Sequence, residues 1–311
     1  MVHTWPLVAA LSRLQPPPHV SWLVEEEYLP LVAPHPGVHR AIPVATRRWR
    51  RRPWQRATRR ELRATVRALR QVRPEVVLDP QGLLKSAVWG LLAGASRRIG
   101  LHPQVRRERA AGLCYNETAP PPGPHRHAVD VALSLLSALH GEVPWGAAPD
   151  GSFLVPAASG GADRDTPGPI VLVPGTGRAA KTWGAAPFTA LARRLANLGW
   201  EVEILWGPRE RRLAADIAGA AGVRLAPATP LEALPAHLVG ASGLIGGDTG
   251  PAHLAAALGV PTVMLHLDTD PQRSGARGRR VALLDGRPGA AAPLTPEAVA
   301  AAAVATFAGR G

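Results

Sequence analysis

Short apolar segments alternate with longer helical segments along almost the whole chain, and this alternation constrains the fold most strongly. Strand-like runs such as Val76–Asp79, Ile170–Val173 and Gly243–Gly246 are each followed by a segment in which apolar residues have helical spacing. Successive parallel strands need a crossover helix between them, so repeated βαβ units build parallel sheets. The sequence therefore predicts an α/β fold with parallel sheets.

Length and composition predict two domains. The chain has 311 residues, 46% of them hydrophobic, which is enough for two cores of ordinary size. A passage rich in Pro, Gly and Ala (143–169) separates the halves, so we place an N-terminal domain at 1–155 and a C-terminal domain at 156–311. Ligands of such folds bind where strands end, and we expect a site in a cleft between the domains. Because Met1–Pro6 leads directly into a helix, we expect the first strand of the N-terminal domain to be missing.

Apolar run length and cysteine content exclude several classes of protein. No apolar run approaches the roughly 18 residues that cross a bilayer. No signal peptide is visible, and the single cysteine, Cys114, excludes a disulfide framework. We therefore expect a cytoplasmic protein.

Positive charge is concentrated in the first half of the chain. The formal net charge is +13, and twelve arginines lie between Arg47 and Arg73. This block predicts an anionic partner, which is a nucleic acid, a phospholipid surface or a phosphorylated substrate; a solvated arginine-rich helix is the alternative. The only lysines are Lys85 and Lys181, both in short polar motifs, and a compact ammonium group differs from guanidinium at a tight site.

The segment Gly246–His253 predicts an anion site. It has the pattern of a strand end, a glycine-rich turn and a helix start, with Asp248 and Thr249 as candidate caps and Gly259 at the helix exit. The free amides and the dipole of a helix N-terminus attract anions, and His253 lies one turn inside, on the side that faces the anion. An ordinary turn between a strand and a helix is the alternative.

Other loops carry polar side chains at predicted strand ends. Val173–Trp183, which contains Arg178 and Lys181, suits a phosphate or pyrophosphate group, with a basic surface loop as the alternative. Glu210 is placed to hold a ribose hydroxyl, or it is a solvated glutamate at a helix start. In the first half, Asp79–Ser86 and Arg106–Arg109 are expected to bind an acceptor, with surface solvation as the alternative.

Taken in order, these motifs resemble the ADP-heptose:lipopolysaccharide heptosyltransferases of glycosyltransferase family 9, most closely the heptosyltransferase I branch. The resemblance covers nearly the whole chain. The segments that carry it are Val2–Pro6, Asp79–Ser86, Arg107–Glu108, Tyr115–Asn116, His127–Val129, Thr176–Trp183, and Asp248–Gly250 with His253. It implies a GT-B fold, in which two Rossmann-like, doubly wound domains face each other across a cleft. It also implies inverting transfer of L-glycero-D-manno-heptose from ADP-heptose to Kdo of Kdo2-lipid A, without a metal ion or another cofactor.

The resemblance implies roles for individual residues. The donor-binding positions are Thr176, Gly177, Lys181, Glu210, Thr229, Asp248, Thr249, Gly250 and His253. Lys181 and Thr249 would stabilise the departing ADP, and Lys85 and Arg107 would bind the acceptor. Gly177 stands where the family often has threonine. The family's general base is an aspartate that would fall just before Met1, so we expect no catalytic base in this chain, reduced transfer, and a longer natural protein.

The expected partners are ADP-heptose, Kdo2-lipid A and the anionic inner face of the bacterial inner membrane, with the protein peripheral and monomeric. Two other functions stay open. One is transfer to another core sugar, as by heptosyltransferase II. The other is nucleic-acid binding through the arginine block, although only Trp49 and Trp54 are interleaved with those arginines.

Overall fold

The computed structural model of the protein describes residues 1–139, 141–155, 167–175 and 182–308. The chain divides into two compact units, His3–Ala147 and Ala148–Gly311. Both units consist of parallel strands and helices, as the alternation of segments predicts. None of the described helices is long and apolar enough to cross a membrane.

The first unit contains five strands and five α-helices among its described residues. The strands are β1 (Ser21–Glu25), β2 (Arg40–Val44), β3 (Val76–Asp79), β4 (Arg97–Gly100) and β5 (Glu117–Thr118). The helices are α1 (Trp5–Leu11), α2 (Thr46–Arg51), α3 (Arg56–Val72), α4 (Leu84–Ala93) and α5 (Ala128–Leu133). Short 3₁₀ helices lie at Val2–Thr4, Glu26–Leu31, Arg109–Cys114 and Ser134–Leu139.

The strands of the first unit form two separate sheets. β1 pairs only with β2, and β3, β4 and β5 form a three-stranded sheet in that order. Leu23 of β1 and Val77 of β3 both pack against one small cluster that includes Leu69 of α3. Among the described residues, β1 and β3 are therefore each hydrogen-bonded along one edge only.

The second unit contains one continuous sheet. Its strands are β6 (Ile170–Val173), β7 (Val202–Ile204), β8 (Arg224–Leu225), β9 (Gly243–Gly247), β10 (Thr262–His266) and β11 (Val281–Asp285). Its helices are α6 (Ala185–Asn197), α7 (Arg211–Ala221), α8 (Leu234–Val239), α9 (Gly250–Ala257), α10 (Pro271–Ser274) and α11 (Pro296–Phe307), and a 3₁₀ helix lies at Ser152–Leu154. The strand order is β11-β10-β9-β6-β7-β8, so the chain changes direction across the sheet between the neighbours β6 and β9. In doubly wound sheets such a switch point is where ligands bind.

The core of the second unit explains why its strands read as unbroken apolar runs. Every residue of β6, β9 and β10 is buried, as expected for parallel strands covered by helices on both faces. Phe307 of α11 lies against Gly243, where a Cβ atom would overlap its ring. Glycine at this position therefore lets α11 approach the sheet.

Some elements differ from those that the apolar spacing predicts. The apolar spacing predicts a helix over 26–33, but the structure has the 3₁₀ helix Glu26–Leu31, which contains Pro30 and so lacks one N–H donor. The spacing also predicts a single helix over 125–140, where the structure has α5 followed by the 3₁₀ helix Ser134–Leu139. The short elements α2, β5 and α10 and the edge strand β11 are not predicted by the spacing.

Candidate functional site

The loops at the carboxyl ends of the strands in the second unit carry most of the described residues that the sequence analysis selects as donor-binding. Because all strands of this sheet are parallel, their carboxyl ends meet at one edge of the sheet. Glu210 follows β7, Thr229 follows β8, and Asp248 and Thr249 follow β9. The predicted Thr176, Gly177 and Lys181 lie outside the described residues.

Asp248 and His253 form a pair at the start of α9. The Nε2 atom of His253 lies 2.9 Å from Oδ1 of Asp248, and the hydroxyl of Ser274 donates to Oδ2 over 3.3 Å. Both members of the pair are largely buried. Of the two predicted caps, Thr249 is the N-cap residue of α9, although its side chain makes no cap hydrogen bond, and Asp248 lies one residue before it. The Asp248 carboxylate is instead held by His253 and Ser274. The predicted helix exit is confirmed, since Gly259 has a φ of +76°.

Thr249 and His266 contribute buried polar atoms to the same end of the sheet. Within the described parts of the chain, Oγ1 of Thr249 and Nε2 of His266 have no hydrogen-bond partner. The register that pairs Leu265 with Gly247 places His266 beside Asp248. Buried polar atoms are nearly always hydrogen-bonded in folded proteins, so these two atoms are candidates for hydrogen bonds to a ligand.

The surroundings of His266 favour the neutral imidazole. Burial, together with the nearby His253, lowers the pKa of His266 below its ordinary value of 6.5, although Asp248 and Asp285 act in the opposite direction. Its Nδ1 atom lies 3.1 Å from Oγ1 of Thr269. The sequence analysis missed this histidine. The sequence signal that could have found it is a polar residue at the end of the apolar run that follows the Gly246–His253 segment.

Glu210 links the ends of β6 and β7. Its Oε2 atom accepts a hydrogen bond of 3.0 Å from the backbone N–H of Gly207. The carboxylate lies against Gly175, directly after β6, where a Cβ atom would overlap it. Glycine at position 175 therefore allows Glu210 to reach the centre of the strand-end edge, next to the switch point between β6 and β9.

Thr229 lies further along the same edge. Its hydroxyl donates to the carbonyl oxygen of Pro227 over 3.0 Å. It follows β8, which is the last strand on its side of the sheet and is separated from β9 by β6 and β7. Among the described residues, no group of three or more His, Cys, Asp or Glu side chains is arranged to hold a metal ion.

Asp79 organises the predicted acceptor loop of the first unit. Its Oδ1 atom accepts from the backbone N–H of Gln81, at 2.9 Å, and of Gly82, at 3.3 Å. Its Oδ2 atom accepts from the hydroxyls of Ser86 and Tyr115, each at 2.7 Å. Burial and the Asp79 carboxylate both raise the pKa of Tyr115, which stays a hydrogen-bond donor. Asp79 therefore shapes the turn before α4.

The turn before α4 is joined to the loop that carries Arg107. The backbone N–H of Leu84 donates to Oε2 of Glu108 over 2.7 Å, and the N–H of Glu108 donates to the carbonyl of Gly82 over 3.0 Å. Lys85 and Arg107 are both exposed. The structure thus brings the two predicted acceptor-binding segments together and leaves both cationic groups in solvent.

Comparison with known proteins gives consistent results. Residues 62–293 match the family described as "Glycosyltransferase family 9 (heptosyltransferase)". The chain is 37% identical over 286 residues to lipopolysaccharide heptosyltransferase 1 of Pseudomonas aeruginosa, covering 90% of this chain and 78% of that protein. Its fold is similar to that of the E. coli heptosyltransferase WaaC with ADP, with a TM-score of 0.81, 29% identity and coverage of 96% and 93%. For the same enzyme with ADP-2-deoxy-2-fluoro heptose the TM-score is 0.79, with the same identity and coverage.

Proposed function

The chain belongs to glycosyltransferase family 9, and from this premise we propose that it transfers L-glycero-D-manno-heptose from ADP-heptose to the Kdo residue of Kdo2-lipid A. The predicted GT-B fold class, built from two Rossmann-like units, is confirmed. The observation that carries the proposal is the strand-end edge of the second unit, where Asp248, His253 and Glu210 gather around the switch between β6 and β9.

The donor is proposed to bind at this edge through its nucleotide and diphosphate. Glu210 would accept a hydrogen bond from a ribose hydroxyl, since its Oε1 atom has no hydrogen bond to a described residue while Oε2 is held by Gly207. The diphosphate would lie at the N-terminus of α9, where the backbone amides of Gly250 and Ala252, in the first turn, have no partner within the helix and Pro251 has no N–H. Thr229 would line the adenine side.

Transfer is a displacement at the anomeric carbon of the heptose. The bond from the anomeric carbon to ADP breaks as the acceptor hydroxyl attacks and loses its proton to a general base or to water. Negative charge grows on the departing diphosphate. Groups placed where that charge develops lower the barrier most. We assign this role to the α9 amides, to the buried hydroxyl of Thr249 and to Lys181.

Two histidines complete the donor site in this proposal. His253 would hold the Asp248 carboxylate in place, because its Nε2 atom already lies 2.9 Å from it. His266 would offer its buried Nε2 atom to a polar group of the nucleotide sugar. A neutral imidazole offers one donor and one acceptor nitrogen, so it suits a hydroxyl or a phosphate oxygen according to its tautomer.

The acceptor is proposed to bind to the first unit. Lys85 and Arg107 are exposed cations on two segments that are hydrogen-bonded to each other. Kdo carries a carboxylate and lipid A carries phosphates, and both attract such groups. The position of the protein at the anionic inner face of the bacterial membrane belongs to the same proposal.

The two lysines of the chain allow donor and acceptor binding to be tested separately. Lys181→Ala should raise the dissociation constant of ADP about tenfold or more in calorimetry, because a charge-assisted contact to phosphate is lost. Lys85→Ala is the matched control: it should leave ADP binding unchanged and raise KM for Kdo2-lipid A. An unchanged ADP constant in Lys181→Ala would remove the role assigned to Lys181.

Acceptor choice separates the two heptosyltransferase functions. Product formed by the protein from ADP-heptose and Kdo2-lipid A, detected by mass spectrometry, supports the proposal. Product formed only on an acceptor that already carries a heptose would favour the second function instead. Absence of both ADP binding and transfer would contradict the proposed function.

A further inference from the structure

The helix α4 exposes an apolar stripe. Leu84, Val88 and Leu91 are 42%, 37% and 46% exposed, and their spacing of four and three residues places them on one side of the helix. The opposite side, with Ala87, Gly90 and Ala93, is buried. A helix that is apolar on its exposed side as well as on its buried side is unusual for a protein surrounded only by water.

A fourth large exposed apolar side chain lies on a segment that packs against α4. The 3₁₀ helix Arg109–Cys114 packs on α4, with Ala111 and Cys114 against Ala87. Between these two buried residues, Leu113 points outward and is 87% exposed. We call Leu84, Val88, Leu91 and Leu113 the apolar patch.

The distribution of exposed apolar residues shows that the patch is a local feature. Outside the patch, the exposed large hydrophobic residues of the described chain lie at separate positions along the sequence: Met1, Trp54, Leu62, Trp145, Leu198, Leu283 and Val304. Single exposed apolar residues of that kind are normal on protein surfaces, whereas a stripe along one helix side, such as Leu84, Val88 and Leu91, is typical of a binding surface.

Cations border the apolar patch on two sides. Lys85 lies at the start of α4, and Arg107 and Arg109 lie on the segment hydrogen-bonded to it. None of these three residues forms an ion pair with another described residue. On the other side lies α3, whose Arg70 donates through Nε to the carbonyl of Leu92 in α4. The α3–α4 contact thus places an arginine-rich helix beside the patch.

The arginines of α3 form a stripe of their own. Arg63, Arg67 and Arg70 are exposed and spaced by four and three residues, so they share one side of α3. We call them the basic stripe. None of them forms an ion pair with a described residue, whereas Arg48 of α2 is bound by Glu26 and Glu61.

We propose that the apolar patch and the basic stripe dock the protein onto an anionic lipid bilayer. Apolar side chains on a helix that lies in the membrane plane enter the boundary between headgroups and acyl chains, while neighbouring Lys and Arg bind anionic headgroups. The positive charge of the Lys and Arg side chains around the apolar patch favours an anionic bilayer over an uncharged protein partner. The inference rests on the proposed function, because the protein has to reach a lipid acceptor at the membrane. It identifies the surface of the protein that contacts that membrane.

The test is sedimentation of the 311-residue protein with vesicles at 0.15 M NaCl, without donor or acceptor. One set of vesicles contains phosphatidylglycerol and phosphatidylethanolamine, and the other contains only phosphatidylcholine. The double variant Leu91→Ser/Leu113→Ser should bind the anionic vesicles about tenfold less than the unchanged protein. Leu198→Ser is the control, because Leu198 lies in the second unit and its exposure of 57% falls between the 46% of Leu91 and the 87% of Leu113. This variant should bind within twofold of the unchanged protein.

The basic stripe is tested by Arg63→Gln/Arg67→Gln. This variant should lose binding to the anionic vesicles severalfold, and the remaining binding should depend less on salt. Equal binding of the unchanged protein to both kinds of vesicle, or no effect of the double leucine change, would overturn the inference. So would a dimer in ultracentrifugation that the leucine changes dissociate, since the patch would then cover a second copy.

Two measurements keep the inference separate from the proposed function. Thermal unfolding and ADP binding of each variant should match the unchanged protein, which shows that the fold is retained. Failure of heptose transfer with patch-dependent vesicle binding would contradict only the proposed function. Transfer to Kdo2-lipid A without patch-dependent vesicle binding would contradict only the inference.

Discussion

The two units of this protein have similar sequence patterns, but their described strands pair differently. In the second unit six parallel strands form one sheet, and the neighbours β6 and β9 at its switch point are entirely buried. In the first unit β1 and β3 belong to separate sheets, and three of the four residues of β3 are only half-buried. One continuous sheet with a buried centre therefore carries the strand-end edge at which we propose that the donor binds. In the first unit, the proposed acceptor and membrane contacts lie on loops and on exposed sides of helices.

The largest effect is expected from a change at the strand-end edge of the second unit, where we propose that the donor binds. Asp248→Asn keeps the size of the side chain but removes the charge that His253 and Ser274 hold. We expect kcat/KM for ADP-heptose to fall about a hundredfold, which corresponds to about 3 kcal/mol of transition-state stabilisation. Asp216→Asn, on the exposed side of α7, is the control and should change kcat/KM less than twofold. An unchanged kcat/KM in Asp248→Asn would contradict the assignment of Asp248 to the donor site.

Matched Val→Ala changes in β6 of the second unit and β3 of the first unit test whether the two units are equally well packed. Val171 of β6 is fully buried, whereas Val77 of β3 is half-buried. Val171→Ala should lower the free energy of unfolding of its unit by about 2 kcal/mol, and Val77→Ala should lower that of its own unit by less than about 1 kcal/mol. Hydrogen exchange of the strand amides measures the two units separately. Equal losses would mean that the split sheet is as well packed as the continuous one.

A smaller effect is expected from filling the space over Gly175. Gly175→Ala places a methyl group where the Glu210 carboxylate lies, so the carboxylate has to move. We expect the dissociation constant of ADP to rise about tenfold, or about 1.4 kcal/mol. Gly219→Ala in α7, where a Cβ atom meets nothing within 4 Å, is the control for calorimetry. ADP binding by Gly175→Ala as tight as that of the control would show that Glu210 does not contact the nucleotide.

The smallest effect concerns pH. The pKa of His266 is lowered in the folded state from its ordinary 6.5, so below about pH 6.5 the unfolded chain binds a proton that the folded protein does not. Stability of the second unit should therefore decrease as the pH falls from 7 to 5, by about 1 kcal/mol or less from this residue. Thermal unfolding of His266→Gln should show a smaller decrease than the unchanged protein. The same pH dependence in both proteins would mean that His266 is not the group responsible.

The sequence predicts the local part of this architecture well. The bounds of β3 and β6 agree with the predicted strands 76–79 and 170–173, because a short apolar run between turn residues is a local signal. The clustering of Asp248, Thr249 and Glu210 at strand ends also follows from local pattern, since parallel strands share one edge.

Contacts between distant segments could not be predicted in the same way. The hydrogen bond from Tyr115 to Asp79 spans 36 residues, and the position of Glu210 against Gly175 depends on two loops meeting. The separation of β1 from β3 depends on strand pairing, which apolar spacing does not encode. His266 was missed for the same reason: its importance comes from the register of β10 against β9.

Hydrogen exchange with and without ADP tests the central claim most directly. The account predicts slower exchange on ADP addition in the segments 205–211 and 246–254 of the second unit, and little change in β3 or α4 of the first. Exchange that stays the same in both segments at saturating ADP, or slows only in the first unit, would contradict the claim that this strand-end edge holds the nucleotide.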